Sequence, residues 1–503
     1  MHKNRTGGDG APFLALLLLL LPVPPAEGQH GPLALSLDQA VALAGDSNPG
    51  YLATRTDAVV ADWEVRQAYG ALFPTANASS GVSWQGSGEQ RFGGITLGEL
   101  GAQEQPSYYF SSYSLGMNYS LSGSSLLAPR RAERGRDATL ARIRGAETSL
   151  VLEVTRRYLQ ALREDEAAVL ARRQVERAEG NLRLAEARES VGAATPLDTR
   201  QAEVALGRAR VALLQAETGA RTARIRLLAE MGMEPDREVE LTSRLEITEA
   251  ELSEGEVEAL ALLRNPGLQA LRAGVEGAEV GIRSARSAYL PSLSLQAGWN
   301  GFTRRATDTQ LLVDQAGAGA QRSVQQCLTQ NELFARLSPP LPPEDCSRFA
   351  FTPAQGAAVR EANSAFPFDF TRQPPSASLT LSIPIFQGLS RQRNLEAARV
   401  ERDDARLRVR EEELRLRAEV AAGMAAVTTA YETARLEERN QEVAEAQLRL
   451  AEEQYRVGST SFLQLMDAET LKAEADRERL NALFTYREAL ATLEALVAGP
   501  LGR

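Results

Sequence analysis

The stretch "QYRVGSTSFLQLMDAE", residues 454–469, has a milder counterpart in "RESVGAATPLDTRQAE", residues 188–203. Each reads as helix, glycine, small polar turn, helix: the glycine suits a tight reversal or C-cap, and Ser or Thr can cap the helix that follows. Val191-Gly192 and Val457-Gly458 stand 266 residues apart. A segment with few chemistry-bearing side chains, written twice, points to duplicated architecture, so the repeat comes before any fold class.

Working outward, the segment from Leu35, "LSLDQAVALAGDSNPGYL", matches the segment from Leu252, "LSEGEVEALALLRNPGLQ". Asn48-Pro49 aligns with Asn265-Pro266 and Pro74 with Pro291, both at an offset of 217 residues. Ser36 with Gln39, and Ser253 with Glu256, predict a capping box at the start of each copy. Helices are expected to end at Phe73 and Leu290, before the prolines. The two offsets differ because the second copy carries a long insert, 304–374. The division is therefore residues 1–28 as a leader, 29–251 as the first repeat and 252–503 as the second.

Between the helices, four segments alternate with period two. Tyr113, Leu115, Met117, Tyr119 and Leu121 share one face within 112–122, as do Leu293, Leu295, Ala297 and Trp299 within 292–300. "ASLTLSIPIF" repeats the pattern with Leu379, Leu381, Ile383 and Ile385, and 75–84 with Ala76, Ala78, Val82 and Trp84. The opposite faces are small, polar and nearly uncharged. Strands of a lipid-facing barrel have this pattern, as do strands of a sheet packed on helices. Four strands cannot close a membrane barrel, and open edges do not stand in hydrocarbon. If the strands cross a membrane, several chains share one barrel, and three would supply twelve strands. Tyr108, Tyr109, Phe110, Trp299, Phe302 and Phe386 near the strand ends suit headgroup depth.

Two helices are expected over about 126–190 and 389–457, each roughly 100 Å long. The partners 38–73, 197–231, 256–290 and 462–497 are about half that length, so one long helix can lie against two short ones end to end. Leu436, Val443, Leu450 and Val457 recur at seven, as do Leu483, Leu490 and Val497, which is coiled-coil spacing. The Ala-rich "RAEVAAGMAAV" from Arg417 permits close helix approach. These features fit a helical barrel and equally a cytoplasmic coiled-coil bundle.

Composition narrows the function. The chain has 503 residues, a net charge of -10, two histidines and two cysteines. Lys3, Arg5, the apolar "PFLALLLLLLPVP" and Ala26-x-Gly28 read as a secretory signal peptide, its apolar run too short for a bilayer-spanning helix. No cysteine follows it, which argues against lipid attachment. Past the leader the remaining histidine is His30. Ser-His-Asp and Cys-His catalysis and a histidine-rich metal site are thereby excluded. No basic cluster points to nucleic acid. No cofactor and no resident metal are expected.

With these residues in view, the sequence resembles the TolC-like outer-membrane factors, the exit ducts of bacterial efflux pumps and type I secretion systems. The resemblance covers nearly the whole chain past the leader. It rests on Asn48-Pro49, Asn265-Pro266-Gly267-Leu268, Pro74, Pro291, "LSIPIFQG" at 381–388 and "YRVGSTSFLQLMDAE" at 455–469, in order within a duplicated frame.

The resemblance implies a mainly α protein with a membrane β-barrel: a homotrimer with a twelve-stranded barrel in outer-membrane lipid, continued by a periplasmic α-helical barrel. It implies an equatorial layer from the connector near 233–255 and the C-terminal tail. It implies no enzyme, and two partners: a periplasmic adaptor (membrane fusion) protein and an inner-membrane RND, ABC or MFS transporter. Val191, Gly192, Ala193, Ala194 and Thr195, with Arg456, Val457, Gly458, Ser459, Thr460 and Ser461, become tips that meet the adaptor, although Arg456 equally suits a helix C-terminus. The family's entrance helix can carry two acids three apart. Here Gln464 occupies the first position and Asp467 the second, so one carboxylate ring is expected, able to favour cations and bind a divalent blocker. Asp198 and Gln201 reverse that order and are expected to face away from the axis.

The insert departs from the family pattern. It is far longer than ordinary strand connections, whereas the first copy has about 17 residues there (91–107). In the family this connection faces outside the cell, an oxidising place where Cys327 and Cys346 can form one disulfide. Their spacing is not that of a redox motif. The alternative to an export duct is a non-pore coiled-coil scaffold of the cell envelope, which has no need of four alternating strands and a leader. A carboxylate-based wall-acting enzyme would need convergent acids, and the sequence offers none.

Overall fold

The computed structural model describes residues 33–88, 91–96, 106–243, 245–249 and 253–501. The signal peptide expected over 1–28, with His30, lies outside the described residues, as does much of the 91–107 connection. In chain order the elements are β1 (Leu33–Leu35), α1 (Leu37–Ser47), α2 (Pro49–Gly70), β2 (Thr75–Gln85), β3 (Arg91–Phe92), β4 (Ile95–Thr96) and β5 (Tyr108–Leu121). Then come α3 (Gly123–Ser190), α4 (Pro196–Glu230), β6 (Val239–Leu241), α5 (Glu254–Arg264), α6 (Pro266–Ser287) and β7 (Ser292–Ala306). The insert contributes α7 (Thr309–Ala335), a 3-10 turn at Cys346–Phe349, α8 (Pro353–Ser364) and β8 (Thr371–Arg372); β9 (Ser376–Ser382), α9 (Ser390–Arg456) and α10 (Phe462–Val497) complete the second copy. No helix of the described residues is long and apolar enough to cross a membrane.

Two compact units divide the chain, each drawing on both repeats: one holds residues up to Pro49, Leu150–Ala250 and Ala425–Thr492, the other Gly50–Ser149, Glu251–Met424 and Leu493–Arg503. The second contains the main sheet. β5 pairs antiparallel with β2 and β7, and β7 pairs with β8 and β9, so that among the described residues β2, β8 and β9 each have one partner strand. Register aligns the apolar faces across the strands: Ala76, Met117, Ala297 and Ala377 form one row, and Tyr119, Leu295 and Leu379 another. The intervening rows are polar, for example Thr75, Asn118, Gln296 and Ser378. A one-residue slip would exchange the faces, so this pattern fixes the register.

Several expected boundaries move. β5 begins at Tyr108 and β7 runs on to Ala306, carrying the aromatic ends into the sheet. "ASLTLSIPIF" stops being strand at Ser382, because Pro384 has no N–H for a ladder. The irregular stretch is held instead by Arg391, which donates to the carbonyls of Pro384 (2.9 Å) and Ile385 (2.8 Å) and stacks on Tyr289. The helices before Pro74 and Pro291 close at Gly70 and Ser287 and finish in i→i−3 turns, Phe73 N to Gly70 O and Leu290 N to Ser287 O. Pro129 lies inside α3 without ending it.

In this unit α3 meets α2 and α6 through Arg136–Asp62 and Arg134–Glu276, while α9 meets α5 and α6 through Arg417–Glu258 and Arg272–Glu413. These pairs are solvent-exposed and each contributes little. Closer packing comes from small residues: a Cβ on Gly423 would lie 3.0 Å from Leu493 Cδ1.

In the other unit β1 and β6 form a parallel pair. Tyr158 joins them: its hydroxyl donates to Leu35 O (2.8 Å) and accepts from Ser243 N (3.1 Å). The connector also takes a hydrogen bond from Tyr486 at Thr248 O (2.6 Å). Here α3 lies against α4 and α10, through Arg172–Glu217 and Arg156–Glu488. Lys472, one of two lysines in the chain, is 5 % exposed on α10 and bonds Asp476 and, at 2.9 Å, Glu445. A buried ammonium needs compensating charge, and two carboxylates supply it.

The duplication reaches single side chains. Asn48 Nδ2 donates to Glu230 O at the end of α4 (2.7 Å), and Asn265 Nδ2 donates to Leu496 O near the end of α10 (3.2 Å). Ser36 and Gln39 form the capping box expected of them. Ser253 does not: it is the N-cap of α5 but makes no side-chain cap hydrogen bond, so Glu256 has no box to complete.

Candidate functional site

The two tips are built alike. Gly192 has φ 73° and Gly458 φ 82°, the left-handed conformation glycine adopts at least cost. Ala193 N bonds Arg188 O (2.7 Å) and Ser459 N bonds Gln454 O (2.9 Å), with Gly192 N to Glu189 O and Gly458 N to Tyr455 O inside them, a Schellman closure in each copy. The next helices open on capping boxes. Thr195 accepts from Asp198 N, and the Asp198 carboxylate accepts from Thr195 N at 2.9 Å. Ser461 accepts from Gln464 N at 3.4 Å, and Gln464 Oε1 accepts from Ser461 N at 3.3 Å and from the Thr460 hydroxyl.

That geometry gives a local task to Gln464, a candidate entrance residue, and to Asp198, its counterpart in the first copy. Asp198 and Gln464 occupy equivalent positions, and both are engaged as capping partners. Asp467, one turn beyond Gln464, is exposed and shares its face with exposed Leu463 and Leu471. Arg456 pairs with Glu453 one turn back (3.2 Å) on the exposed surface. Val191, Val457, Ser459 and Ala193 are exposed, whereas Ala194 and Thr460 are half-buried.

Below the turns the four helices close on a small core that includes Ala185, Ala202, Leu448, Tyr455, Phe462 and Leu465. Tyr455 packs edge-on to Phe462 at 5.7 Å. Arg188 joins the two copies: its guanidinium stacks on the Tyr455 ring (4.5 Å) and donates to the carbonyls of Tyr455 and Ala193. Burial pushes the Tyr455 hydroxyl above its usual pKa against the opposing charge of Arg188. Sequence reasoning passed over Arg188, whose counterpart in the second copy is Gln454. The one available signal was that an arginine precedes the first turn where the second copy has a neutral residue.

A few residues further on, Asn181 donates to Glu469, and burial raises the Glu469 pKa against Asn181 and Arg177. The coiled-coil rows fall on different surfaces. Leu483 and Val497 are buried and Leu490 half-buried, while Leu436, Val443, Leu450 and Val457 are each more than half exposed. A matching row on α4, Leu197, Val204 and Val211, is equally bare.

The insert is a folded unit. Cys327 and Cys346 sit with sulfurs 2.00 Å apart, Asn331 brackets Glu344 through both backbone groups, and buried Asn363 does the same to Ala306 (2.7 and 3.0 Å). Its helices were not expected: the Gln- and Ala-rich α7 has little periodicity by which to find them.

Among known proteins, the chain is 32 % identical over 165 residues to the pyoverdine export outer membrane protein OpmQ of Pseudomonas aeruginosa, 32 % of this chain and 34 % of that one. The match thus spans about a third of that relative's length. Over whole folds it is similar to the Campylobacter jejuni CmeC outer membrane channel, with TM-score 0.67, 14 % identity, and 93 % and 86 % of the two chains covered. The open-state Neisseria gonorrhoeae MtrE outer membrane channel gives TM-score 0.61 and 19 % identity over 93 % and 90 %. The fold is that of these channels: mainly α, with strands for a β-barrel and helices for a helical barrel. The family described as outer membrane efflux protein matches residues 42–233 and 354–499. The chain therefore belongs to the outer membrane efflux protein family, and its place is the outer membrane.

Proposed function

We propose that the protein is a passive exit duct, three copies of which form one twelve-stranded barrel and helical tunnel, coupled to a periplasmic adaptor and an inner-membrane RND, ABC or MFS transporter in an efflux pump or type I secretion system. The observation that carries this is the main sheet: β2, β5 and β7 of 11 to 15 residues with the seven-residue β9, alternating faces in register, and two outer edges without a partner strand among the described residues. Hydrocarbon does not accept open edges, so the sheet must be completed by other copies. Bare heptad rows on α4 and α9 supply matching helical surfaces for the same partners. A non-pore scaffold would leave the sheet unexplained.

In this reading the Gly192 and Gly458 turns face the adaptor and the insert lies outside the cell, its disulfide closing the loop there. Asp467 supplies one ring of carboxylates at the entrance, and like charges held close attract cations. No bond is made or broken in transport. Selectivity is a matter of pore width and wall charge.

The test is membrane fractionation with unboiled gel migration, followed by planar-bilayer conductance. The expected result is an outer-membrane oligomer whose cation preference and divalent block fall by at least about twofold in Asp467→Asn. A soluble monomer would overturn the duct. Unchanged selectivity in the variant would remove Asp467 from the entrance.

A further inference from the structure

The end of the sheet that joins the insert, where β7 runs on to α7, carries two charges that a duct does not require. Across the strands, Trp84 stands opposite Tyr109, and Tyr109 opposite Arg305. Four rows inward the sequence is Ser80, Tyr113, Gly301 and then Arg372 of β8. Side chains alternate, so both arginines fall on the face of Ala78, Leu115 and Trp299, with buried Ser111 and Thr303 in the same-face row between them. They are separated by four residues of strand, roughly 13 Å.

Rings surround them. Tyr113 lies edge-on to Trp299 (6.1 Å) and to Phe370 (5.0 Å), and Tyr109 packs against Phe366 (5.8 Å). The segment 366–370, "FPFDF", thus lies along this face, with Phe366 and Phe370 seated and Phe368 81 % exposed. Both arginines are exposed, and among the described residues neither has a carboxylate within 4.0 Å. Asp369, also exposed, pairs with neither. Arg304 points to the opposite face and stacks on Tyr108 at 5.5 Å.

We propose that Arg305, Arg372 and the Phe366–Phe370 segment form a binding surface for the phosphate-bearing headgroup of an outer-leaflet lipid. The proposal rests on reading this face as lipid-facing. An unpaired guanidinium beside hydrocarbon is costly unless it reaches headgroup depth and finds an anion. Aromatic rings mark that depth, and the arginine fork matches phosphate oxygens. Phe368 projects where acyl chains would receive it. A soluble anion in the lumen would meet the other face, which is why the occupant is assigned as a lipid.

The experiment uses the full-length protein, delipidated in detergent, with native mass spectrometry against three probes: diphosphorylated lipid A, the same lipid with both phosphates removed, and inorganic phosphate. Retention of the phosphorylated lipid is expected to exceed that of the other two by roughly tenfold, and the Arg305→Gln/Arg372→Gln pair to abolish that excess. Arg322→Gln, on exposed α7, is the control that leaves it intact, and unboiled migration checks that the variants still assemble. Phe368→Ser is expected to weaken both lipids alike. Undiminished preference in the double variant, no effect of Phe368→Ser, or inorganic phosphate competing on equal terms would each overturn the proposal. A failure of the duct reading would appear separately, as loss of membrane association in the unsubstituted protein.

Discussion

Glu469 lies where α3 and α10 converge, and burial there disfavours its charged form despite Asn181 and Arg177. A carboxyl whose folded pKa is raised keeps its proton at pH values where the unfolded chain has lost it. Its contribution is therefore intact below the unfolded pKa and declines as pH rises from that value through the folded one. Glu469→Gln keeps an acceptor for Asn181 and removes the decline. The variant is expected to melt at a higher temperature than the parent at pH 8, with the gap closing as pH falls to about 4. Equal melting at pH 8 would mean that water relieves the site. Glu452, half-buried nearby, is raised by desolvation and by Glu445 against Arg177.

The tip turns are determined at the scale of the element, by four residues per copy. Thr195→Ala and Ser461→Ala each remove a cap and are expected to cost about 1 kcal/mol locally. Gly458→Ala, at φ 82°, is expected to cost about the same. Amide exchange at the corresponding turn should quicken several-fold, and unchanged exchange would show the caps to be ornamental. These turns were legible because glycine and a capping residue announce them locally. The strands were legible because register needs only alternation, and Asn48 and Asn265 because the repeat marks them twice. What escaped reading depends on neighbours distant in sequence. Ser253 has the letters of a capping box and lacks the bonds, Arg188 has a role only once Tyr455 is brought to it, and the heptad at Leu436 does not say by itself that its row is bare within the single chain. The tip role of Gly458 and the entrance role of Asp467 came from resemblance, and they remain tied to a trimer.

At the scale of the whole molecule, the bare rows on α4 and α9 are the surfaces most in need of a partner. Val443→Glu with Leu450→Glu places charges where the single chain is already exposed, so its helix content should be untouched. Assembly should fail by an order of magnitude or more, since each buried unpaired charge costs several kcal/mol. Circular dichroism with unboiled gel migration separates the two effects, and an oligomer of normal mobility would place those rows outside any interface. Each copy brings one arc of a hydrogen-bonded ring and cannot close it alone, because among the described residues β2 and β9 each have one partner strand. The finished wall is thus joint property. With three copies drawn at random from equal pools of intact and edge-damaged chains, about one ring in eight would be free of damage. An allele with a broken β2 or β9 would therefore act as a dominant one, silencing most of the product of its healthy counterpart.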